Sequence, residues 1–371
     1  MRSTFEREKF HAAFQLASSV IAQRTPKPIL RNVLMEVAPQ MTTLTATDLD
    51  VGLRVPVAGV DVDVPGRLAL PADEMGALLR EMSDPSLHLE SDGAHLVVRG
   101  ERSEFRLNLF NVDEFPRLPE FGGEVLFEVA APLLRQMIHR TAFATEAESS
   151  RYALGGVLLE VQGETIVGVG TDGRRMAVME GTLCAGGTAE LPAGSTIVPT
   201  RAMQLLERAL ANVEGNVQLD VRPSELLVQT ASGLLVYARL LEGRFPRWRD
   251  VLPSRVGSER VELPVGPAHA AVRQAAVLSD RERRSLRFQL AEGKLELEAE
   301  SDHGRSHVEL PVAYSGQPIQ VNLDARFVSD FFKVLEPQAT CSFEVKDGRS
   351  AVTFSTAEGY RYVVMPMAQE P

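Results

Sequence analysis

Cysteine and tryptophan are nearly absent from this chain of 371 residues, which has two cysteines and one tryptophan. Cys184 and Cys341 are far apart, so they form neither a metal-ligand spacing nor a disulfide framework, and a reducing cytoplasm suits them best. No apolar run approaches the roughly 20 residues that a membrane span needs. The first residues, MRSTFEREKF, are polar and lack the apolar core of a secretory signal. We therefore expect a cytoplasmic protein with no membrane partner.

Positive charge is also in deficit. The chain has 39 Lys and Arg against 50 Asp and Glu, which gives a formal net charge of −11. This deficit excludes a protein that binds nucleic acid through overall basic character. Net charge governs solubility and long-range repulsion, however, and does not fix the composition of a single face. A protein that encloses nucleic acid within an arginine-lined surface therefore stays open.

Catalytic signatures are missing as well. No Gly-x-Ser-x-Gly nucleophile elbow occurs, and the sequence predicts no catalytic residue, no metal site and no cofactor. Gly168, Gly170 and Gly173 spell Gly-x-Gly-x-x-Gly, but a dinucleotide site needs a helix to open at the third glycine, and the next residues alternate like a strand. A helix there would favour the enzyme alternative, a nucleotide-binding oxidoreductase. His303 and His307 have a spacing seen in metal sites, but their segment matches surface turns elsewhere in the chain.

The chain does contain one sequence pattern that occurs three times. Each copy has an amphipathic helix, then strand, turn, strand, turn, strand, then a second helix and closing hairpin strands. A hydroxyl-aspartate pair recurs at the same turn and predicts a turn-forming role for the aspartate; the three pairs are Thr47-Asp48, Thr171-Asp172 and Ser301-Asp302. The first helices lie in FEREKFHAAFQLASSVIAQ, FEVAAPLLRQMIHRTAFAT and VELPVGPAHAAVRQAAVLS.

This repeat predicts an α+β fold of three like domains, each with two helices packed on antiparallel sheets. Most connections are too short for parallel crossovers. Clusters of Gly, Pro and Ser place the boundaries, so the predicted domains are 1–122, 123–255 and 256–371. Domains joined strand edge to strand edge would keep all helices on one face of an arc. A two-fold axis would close two such arcs into a ring and remove the open sheet edges.

Positive side chains lie on the helix faces that point away from the apolar stripes. Arginine and lysine at such positions suit a phosphate backbone and read no base sequence. The alternative is that these charges are simply solvated. The residues that this pattern assigns to DNA are Arg135, Arg140, Arg201, Arg208, Arg273 and Lys333, with Arg24 from the loop after the first helix.

Four strings carry a resemblance to a known family. They are KPILRNVLMEV at 27–37, TDGRRMAV at 171–178, LEGRFPRWRDVLP at 241–253 and YVVMPM at 362–367. Together they resemble the bacterial DNA polymerase III beta subunit, the processivity clamp, over essentially the whole chain. The resemblance implies a non-enzymatic homodimer that forms a six-domain ring around duplex DNA, tethers the replicative polymerase and is opened by a separate clamp loader. A protein-binding scaffold that does not encircle DNA is the remaining alternative.

The resemblance also implies a pocket between the second and third domains that binds short linear motifs of the polymerase and the clamp loader. The matching positions are Arg151, Leu154, Thr171, Gly173, Arg174, Arg175, Met176, Pro246, Val251, Val363, Val364, Met365, Pro366 and Met367. It implies DNA contacts at Arg24 and Tyr152. For the dimer interface we expect Phe105 and Leu107, on an edge strand of the first domain, to meet Val277 and Leu278 of the third.

Overall fold

The computed structural model describes residues 1–22, 24–122, 126–146, 152–186, 191, 195–253, 256–280 and 284–368. In this part of the chain, six α-helices accompany 26 strands, and all pairings among the strands of the four sheets are antiparallel. The predicted α+β fold of three repeats, each with two helices on antiparallel sheets, is confirmed. None of the helices in these ranges has both the length and the apolar character of a membrane span.

The first repeat has nine strands. Its helix α1 buries an apolar stripe that includes Phe10 and Phe14, as the spacing of these residues predicts. The elements are β1 (Arg2–Glu6), α1 (Arg7–Ser18), β2 (Asn32–Val37), β3 (Thr42–Thr47), β4 (Val51–Val57), β5 (Val60–Val64), β6 (Gly66–Pro71), α2 (Ala72–Glu81), β7 (Ser86–Ser91), β8 (His95–Arg99) and β9 (Glu104–Asn108).

The second repeat follows the same order. Its third and fourth strands are longer than those of the first repeat, and six of the seven residues of the third strand are buried. The elements are β10 (Leu126–Ala130), α3 (Ala131–Thr141), β11 (Gly156–Gln162), β12 (Thr165–Thr171), β13 (Arg175–Thr182), β14 (Ala185–Gly186), β15 (Ile197–Pro199), α4 (Thr200–Ala209), β16 (Asn216–Val221), β17 (Glu225–Thr230) and β18 (Leu235–Arg239).

The third repeat has eight strands among the described residues. Its helix α6 buries Phe331, which stacks on Tyr360 and Tyr362 with ring centroids 5.6 and 5.3 Å away. The elements are β19 (Glu259–Pro264), α5 (Val265–Ala275), β20 (Ser285–Ala291), β21 (Lys294–Ser301), β22 (Gly304–Pro311), β23 (Ile319–Asp324), α6 (Ala325–Lys333), β24 (Thr340–Val345), β25 (Val352–Ser355) and β26 (Tyr360–Val364).

The chain divides into two compact units. Unit 1 comprises 1–135, 183–189 and 201–240, and unit 2 comprises 136–182, 190–200 and 241–371. Unit 1 holds a five-stranded sheet, β5-β1-β7-β8-β9, and a nine-stranded sheet, β14-β10-β16-β17-β18-β4-β3-β2-β6. Unit 2 holds an eight-stranded sheet, β15-β11-β12-β13-β26-β25-β24-β19, and a four-stranded sheet, β22-β21-β20-β23. Each large sheet therefore takes strands from two repeats.

The junction between repeats is the same in both large sheets. In unit 1, the last strand of the second repeat, β18, pairs with the fourth strand of the first, β4, and Val236 lies opposite Leu53. In unit 2, the last strand of the third repeat, β26, pairs with the fourth strand of the second, β13, and Tyr362 lies opposite Ala177. The repeats can be aligned on the strand residues that directly precede their helices. In this alignment Leu53 is equivalent to Ala177, and Val236 is equivalent to Tyr362. The two junctions therefore have the same register.

The turn between the third and fourth strands uses the hydroxyl-aspartate pair in two repeats. The Thr47 hydroxyl donates to the carbonyl of Val51 over 2.8 Å, and Asp48 Oδ1 accepts the amide of Val51 at 2.8 Å. Thr171 and Asp172 make the same pair of contacts in the second repeat. The aspartates therefore form turns, as the repeat predicts.

The third repeat departs from this turn. Ser301 pairs directly with Gly304, so only two residues form the loop between β21 and β22. The register then places Glu300, and not Ser301, at the position of Thr47 and Thr171. The predicted equivalence of the third hydroxyl-aspartate pair is therefore wrong, because the Ser301-Asp302 string lies one residue further along the chain than the pairs of the other two repeats.

Candidate binding surfaces

The glycine-rich segment of the second repeat is not a dinucleotide site. Gly168 and Gly170 lie in β12, Gly173 lies in the turn with a φ of 85°, and β13 follows. A Cβ on Gly170 would lie 2.2 Å from the carbonyl oxygen of Thr141, and one on Gly168 would lie 2.6 Å from Cγ of Met137. These glycines let α3 pack directly on β12. The predicted strand after Gly173 is confirmed, which removes the basis of the oxidoreductase alternative.

One group of described side chains has metal-ligand types at close spacing: Glu296, His307 and Glu309. Lys294 already occupies this group, because its Nζ lies 2.8 Å from Oε1 of Glu309 and also pairs with Glu296. The imidazole of His307 lies between Glu309 and Glu298, at 3.2 and 3.0 Å, and these two carboxylates raise the pKa of His307 above its ordinary value. The group is a charged network on an exposed sheet face, and we assign no metal to it.

An apolar cluster connects β13 to the end of the chain. Met176 and Val363 are directly paired, and both are almost fully buried with Phe245 and Trp248. Ala153, Leu241 and Leu252 pack against the same cluster. Ala153, Phe245 and Leu252 are the chain neighbours of three predicted pocket residues, Leu154, Pro246 and Val251.

The exposed apolar surface here comes from a few side chains. Val251 and Met365 are 49% and 46% exposed, and Pro246 is also exposed. The amide of Met365 donates to the carbonyl of Arg174 over 2.9 Å, and that of Met367 donates to Asn322 over 2.8 Å. The backbone of the tail is therefore held in place, whereas the Met365 side chain is available to a partner.

Two predicted pocket residues lie on the other face of the sheet. Val364 is fully buried and is paired with Arg175, and strand alternation turns both away from Met176 and Val363. Arg175 therefore does not share the cluster face of the sheet with Met176 and Val363. Arg151 lies outside the described residues, so its predicted place in the pocket stays a prediction.

Arg175 instead fastens the turn beneath the pocket. Its Nε lies 3.0 Å from Oδ2 of Asp172, its Nη1 lies 2.8 Å from Oδ2 of Asp330 on α6, and its Nη2 donates to the carbonyl of Phe143 over 2.9 Å. The guanidinium also lies 4.5 Å from the ring centroid of Phe327. The sequence offered a signal for this role, because a short acidic turn precedes Arg175, but its partner on α6 is 155 residues away.

Arg140 is buried by contacts with the third repeat. It is only 6% exposed, its Nη1 lies 2.7 Å from Oε2 of Glu358, and its guanidinium lies 5.3 Å from the centroid of Tyr360. The prediction that Arg140 lies on the exposed face of α3 is wrong, because that helix is buried over a wider arc than its apolar stripe indicates. We therefore withdraw Arg140 from the set of candidate DNA contacts.

The other candidate DNA contacts are exposed. Some of them are already partly engaged: Arg201 lies 2.6 Å from Asp48, and Lys333 lies 3.0 Å from Asp330. The Tyr152 side chain lies outside the described residues. The exposed cations are Arg24, Arg135, Arg201, Arg208, Arg273 and Lys333.

The predicted dimer residues lie at two sheet edges. β9 ends the five-stranded sheet, and its Phe105 and Leu107 are half-buried beside α2. β22 ends the four-stranded sheet, and Val277 beside it is 76% exposed. Leu278 lies against β22, because a Cβ on Gly304 would be 3.6 Å from its Cδ1.

Three copies of one two-helix domain, joined edge to edge through antiparallel strands, define a fold of the DNA-clamp class. Three family models match the chain in order, the DNA polymerase III beta subunit N-terminal, central and C-terminal domains, over residues 1–119, 128–247 and 249–368. The chain belongs to the DNA polymerase III beta subunit family. The bounds that we predict for the three domains stay predictions.

Known proteins of this family resemble the chain over its whole length. The beta sliding clamp of Pseudomonas aeruginosa is 30% identical over 374 residues, which cover 99% of this chain and 100% of that protein. The beta sliding clamp of Escherichia coli K12 is 29% identical over 371 residues, with the same coverage. The crystal structure of the Pseudomonas aeruginosa clamp bound to griselimycin has a TM-score of 0.91 at 29% identity and covers 100% of both chains. The Bacillus subtilis clamp, at 19% identity and a TM-score of 0.92 over 100% of both chains, supports the fold alone.

Proposed function

We propose that this protein is a DNA sliding clamp, a ring of two chains that encircles duplex DNA and tethers the replicative polymerase and other replication or repair proteins. The proposal assigns the chain no catalytic step, cofactor or metal. Relatives that match the whole chain are named beta sliding clamps. The observation that carries the proposal is the way in which the three repeats join.

The two junctions within the chain predict a third junction between two chains. In both, the last strand of one repeat pairs with the fourth strand of the repeat before it. The remaining last and fourth strands are β9 and β22, and both are edge strands. An open sheet edge invites pairing with another chain. We therefore pair β9 of one chain with β22 of a second copy, and a two-fold axis forms this contact twice.

The shared register of the two junctions also gives the register of the third. A third junction with this register would have Phe105 opposite Ser306, Leu107 opposite Gly304, and Glu104 opposite His307. The large apolar side chains of β9 thereby meet the two smallest side chains of β22, near Leu278 and Val277. On the other face, a carboxylate meets an imidazole whose pKa is already raised by its own carboxylate partners.

The charged side chains beside the two edge strands support the same pairing of β9 with β22. A hollow of about 640 Å³ beside β9 has three anionic side chains, Glu74, Glu81 and Asp84, and one cationic one, Arg106. A hollow of about 570 Å³ beside Val277 has four cationic side chains and one anionic one; these are Arg273, Arg284, Arg326, Lys333 and Asp280. Opposite charge across an interface steers association and selects the partner. An acidic hollow in the first domain and a basic one in the third favour head-to-tail assembly.

For the DNA-facing surface, we propose the exposed cations on the helices of the three repeats. They would neutralise phosphates and read no base sequence, so contact with linear DNA should be weak and salt-sensitive. Topology, and not affinity, would then hold the ring on DNA. The proposed contacts are Arg24, Arg135, Tyr152, Arg201, Arg208, Arg273 and Lys333.

For partner proteins, we propose a pocket above the cluster of Met176 and Val363. Val251, Pro246 and Met365 supply its exposed apolar surface, and methionine adapts to varied apolar ligands. Arg174 is exposed beside the tail. We expect an extended peptide rich in Leu and Phe, with a Gln anchor, to bind here, as a linear motif of a polymerase or a clamp loader would.

The experiment is retention on DNA. After loading by a clamp loader, the protein should stay on closed circular plasmid through high salt and leave once the plasmid is linearised. The Leu107→Asp variant, which places a charge at the proposed interface, should not be retained. A truncation that lacks 365–371 should be retained normally and lose the peptide. Equal retention of the wild type on circular and linear DNA would refute encirclement.

A further inference from the structure

The two large sheets have the same register but different linings on one face. Strand pairing makes Thr43, Thr45 and Arg54 of the first repeat the equivalents of Val167, Val169 and Val178 of the second. In unit 2, the three valines belong to one apolar cluster that also contains Phe245 and Trp248. In unit 1, two hydroxyls and a guanidinium stand in their place.

The same face of unit 1 is not filled. Phe115 and Leu118 follow the same Phe-Pro spacing as Phe245 and Trp248, but they belong to two separate apolar clusters. Between them lies a hollow of about 480 Å³. Its lining includes Leu34, Glu36, Met41, Thr45, Arg54 and Leu118. Leu118, which borders this hollow, stands where unit 2 has the larger side chain of Trp248.

Two donors in this hollow lack partners. Thr45 is 2% exposed, and within the described part of the chain neither its Oγ1 nor Nε of Arg54 has a hydrogen-bond partner. Glu36 does not serve them, because it lies 2.9 Å from Nε of Arg67. A buried hydroxyl and a buried guanidinium N–H without acceptors are unfavourable. A ligand that accepts from both would relieve this cost.

We propose that this hollow, which we call the Thr45 hollow, binds the side-chain carboxylate of a short acidic and apolar peptide segment from a partner protein. A carboxylate accepts charge-assisted hydrogen bonds from Arg54 and Thr45 together. The walls also contain apolar side chains, among them Leu34 and the 48% exposed Met41, which a free inorganic anion would not use. The site is separate from the tail pocket of unit 2, and it does not depend on ring formation.

The test uses the full-length protein with labelled Met and Leu methyl groups. The probes are the acetylated, amidated tripeptides Leu-Glu-Leu and Leu-Gln-Leu, and inorganic phosphate. The glutamate peptide should shift the Met41 and Leu118 methyl resonances in a saturable way, and the glutamine peptide should bind about tenfold or more weakly, since it loses a charge-assisted pair. Thr45→Val and Arg54→Met should each abolish the difference between the two peptides.

Two further variants make the result decisive. Leu118→Trp should fill the hollow, as the tryptophan does in unit 2, and block the glutamate peptide without changing any charge. Thr42→Val is the matched control, because Thr42 lies on the same strand with an unpartnered buried Oγ1 but does not line the hollow. It should bind like the wild type. The proposal would be overturned by equal binding of both peptides or by the absence of a saturable shift. It would also be overturned if phosphate alone bound, which would indicate an adventitious ion only.

Discussion

Units 1 and 2 present the same sheet face with opposite chemistry. In unit 2, Val169 and Val178 belong to a buried apolar cluster that includes Trp248. In unit 1, Thr45 and Arg54 occupy the equivalent positions, and a hollow takes the place of the tryptophan. The backbone register is conserved between the repeats, so it does not decide which face binds a partner. The two faces differ in the side chains at a few equivalent positions, such as Thr45 and Val169.

Substitution of two neighbouring arginines should give the largest difference in the free energy of unfolding. Arg175 is held by two carboxylates and one carbonyl, whereas Arg174 is exposed. Removing one partner of a buried pair costs roughly 3–5 kcal/mol, whereas exposed substitutions usually stay within about 0.5 kcal/mol. Arg175→Ala should therefore lower the free energy of unfolding strongly in urea titrations, and Arg174→Ala should leave it unchanged. Equal effects of the two substitutions would show that Arg175 does not fasten the turn.

The tryptophan and its leucine counterpart give the next test. Trp248 is 4% exposed, and its Nε1 donates to Glu160 over 3.3 Å. Trp248→Ala should cost roughly 3–5 kcal/mol of unfolding free energy. Leu118→Ala should cost about 2 kcal/mol, the low end for such a change, because a hollow already borders this side chain. Calorimetry of both variants checks the order, and a larger loss at Leu118 would contradict the assignment of the hollow.

A reciprocal exchange sharpens the comparison further. Thr45→Val removes a buried hydroxyl that has no partner among the described residues, so it should be neutral or should stabilise the protein by about 1 kcal/mol. Val169→Thr places a hydroxyl in the buried apolar cluster of unit 2 and should destabilise it by about 1–3 kcal/mol. Thermal unfolding of the two variants is the measurement. Loss of stability in both would mean that Thr45 has an acceptor.

Two histidines of unit 2 should give small pH effects of opposite sign. The pKa of His307 is raised by hydrogen bonds to Glu309 and Glu298, so its contribution to stability is present at low pH and is lost as pH rises through its folded pKa. The pKa of His269 is lowered by burial and then by Arg273 and Lys333, so the folded state binds its proton less well and loses stability as pH falls.

The measurement is unfolding of His307→Asn and His269→Asn between pH 5 and pH 8, the range over which histidine titrates. The deficit of His307→Asn relative to the wild type should be larger at pH 5 than at pH 8. The His269→Asn variant should gain on the wild type as the pH falls. A parallel shift of both variants would contradict the opposite environments of the two rings.

Much of the fold could be predicted from the sequence, because the repeat is visible in its periodicity. The helices begin near the predicted positions, and the Thr-Asp pairs form turns in two repeats. The turn in the third repeat could not be predicted, because the Ser-Asp string is displaced there by one residue along the chain and its letters do not show the displacement. A match of letters therefore predicted an equivalence that strand pairing contradicts.

The sequence predicts which segments form the candidate site, but it does not predict on which face of the sheet each side chain lies. The sequence predicts that the whole tail lines the pocket. Strand alternation instead places Val363 in the cluster beneath the pocket and Val364 on the opposite face of the sheet. Arg140 and Arg175 carry charge, which predicts exposure, yet both are buried by partners far away in sequence: Glu358, Tyr360 and Asp330. Such long-range pairing leaves no local pattern. The Thr45 hollow has no local signal in the sequence, because it depends on the side chains that strand register brings together.

The mass of the protein in solution tests the central claim most directly. If β9 of one chain pairs with β22 of a second copy, and the two-fold axis closes both contacts, sedimentation equilibrium should give twice the chain mass of 40.6 kDa. That mass should stay constant as the protein concentration rises, because a closed ring leaves neither edge open. Leu107→Asp should reduce it to one chain. A wild-type monomer, or a mass that grows continuously with concentration, would contradict the account.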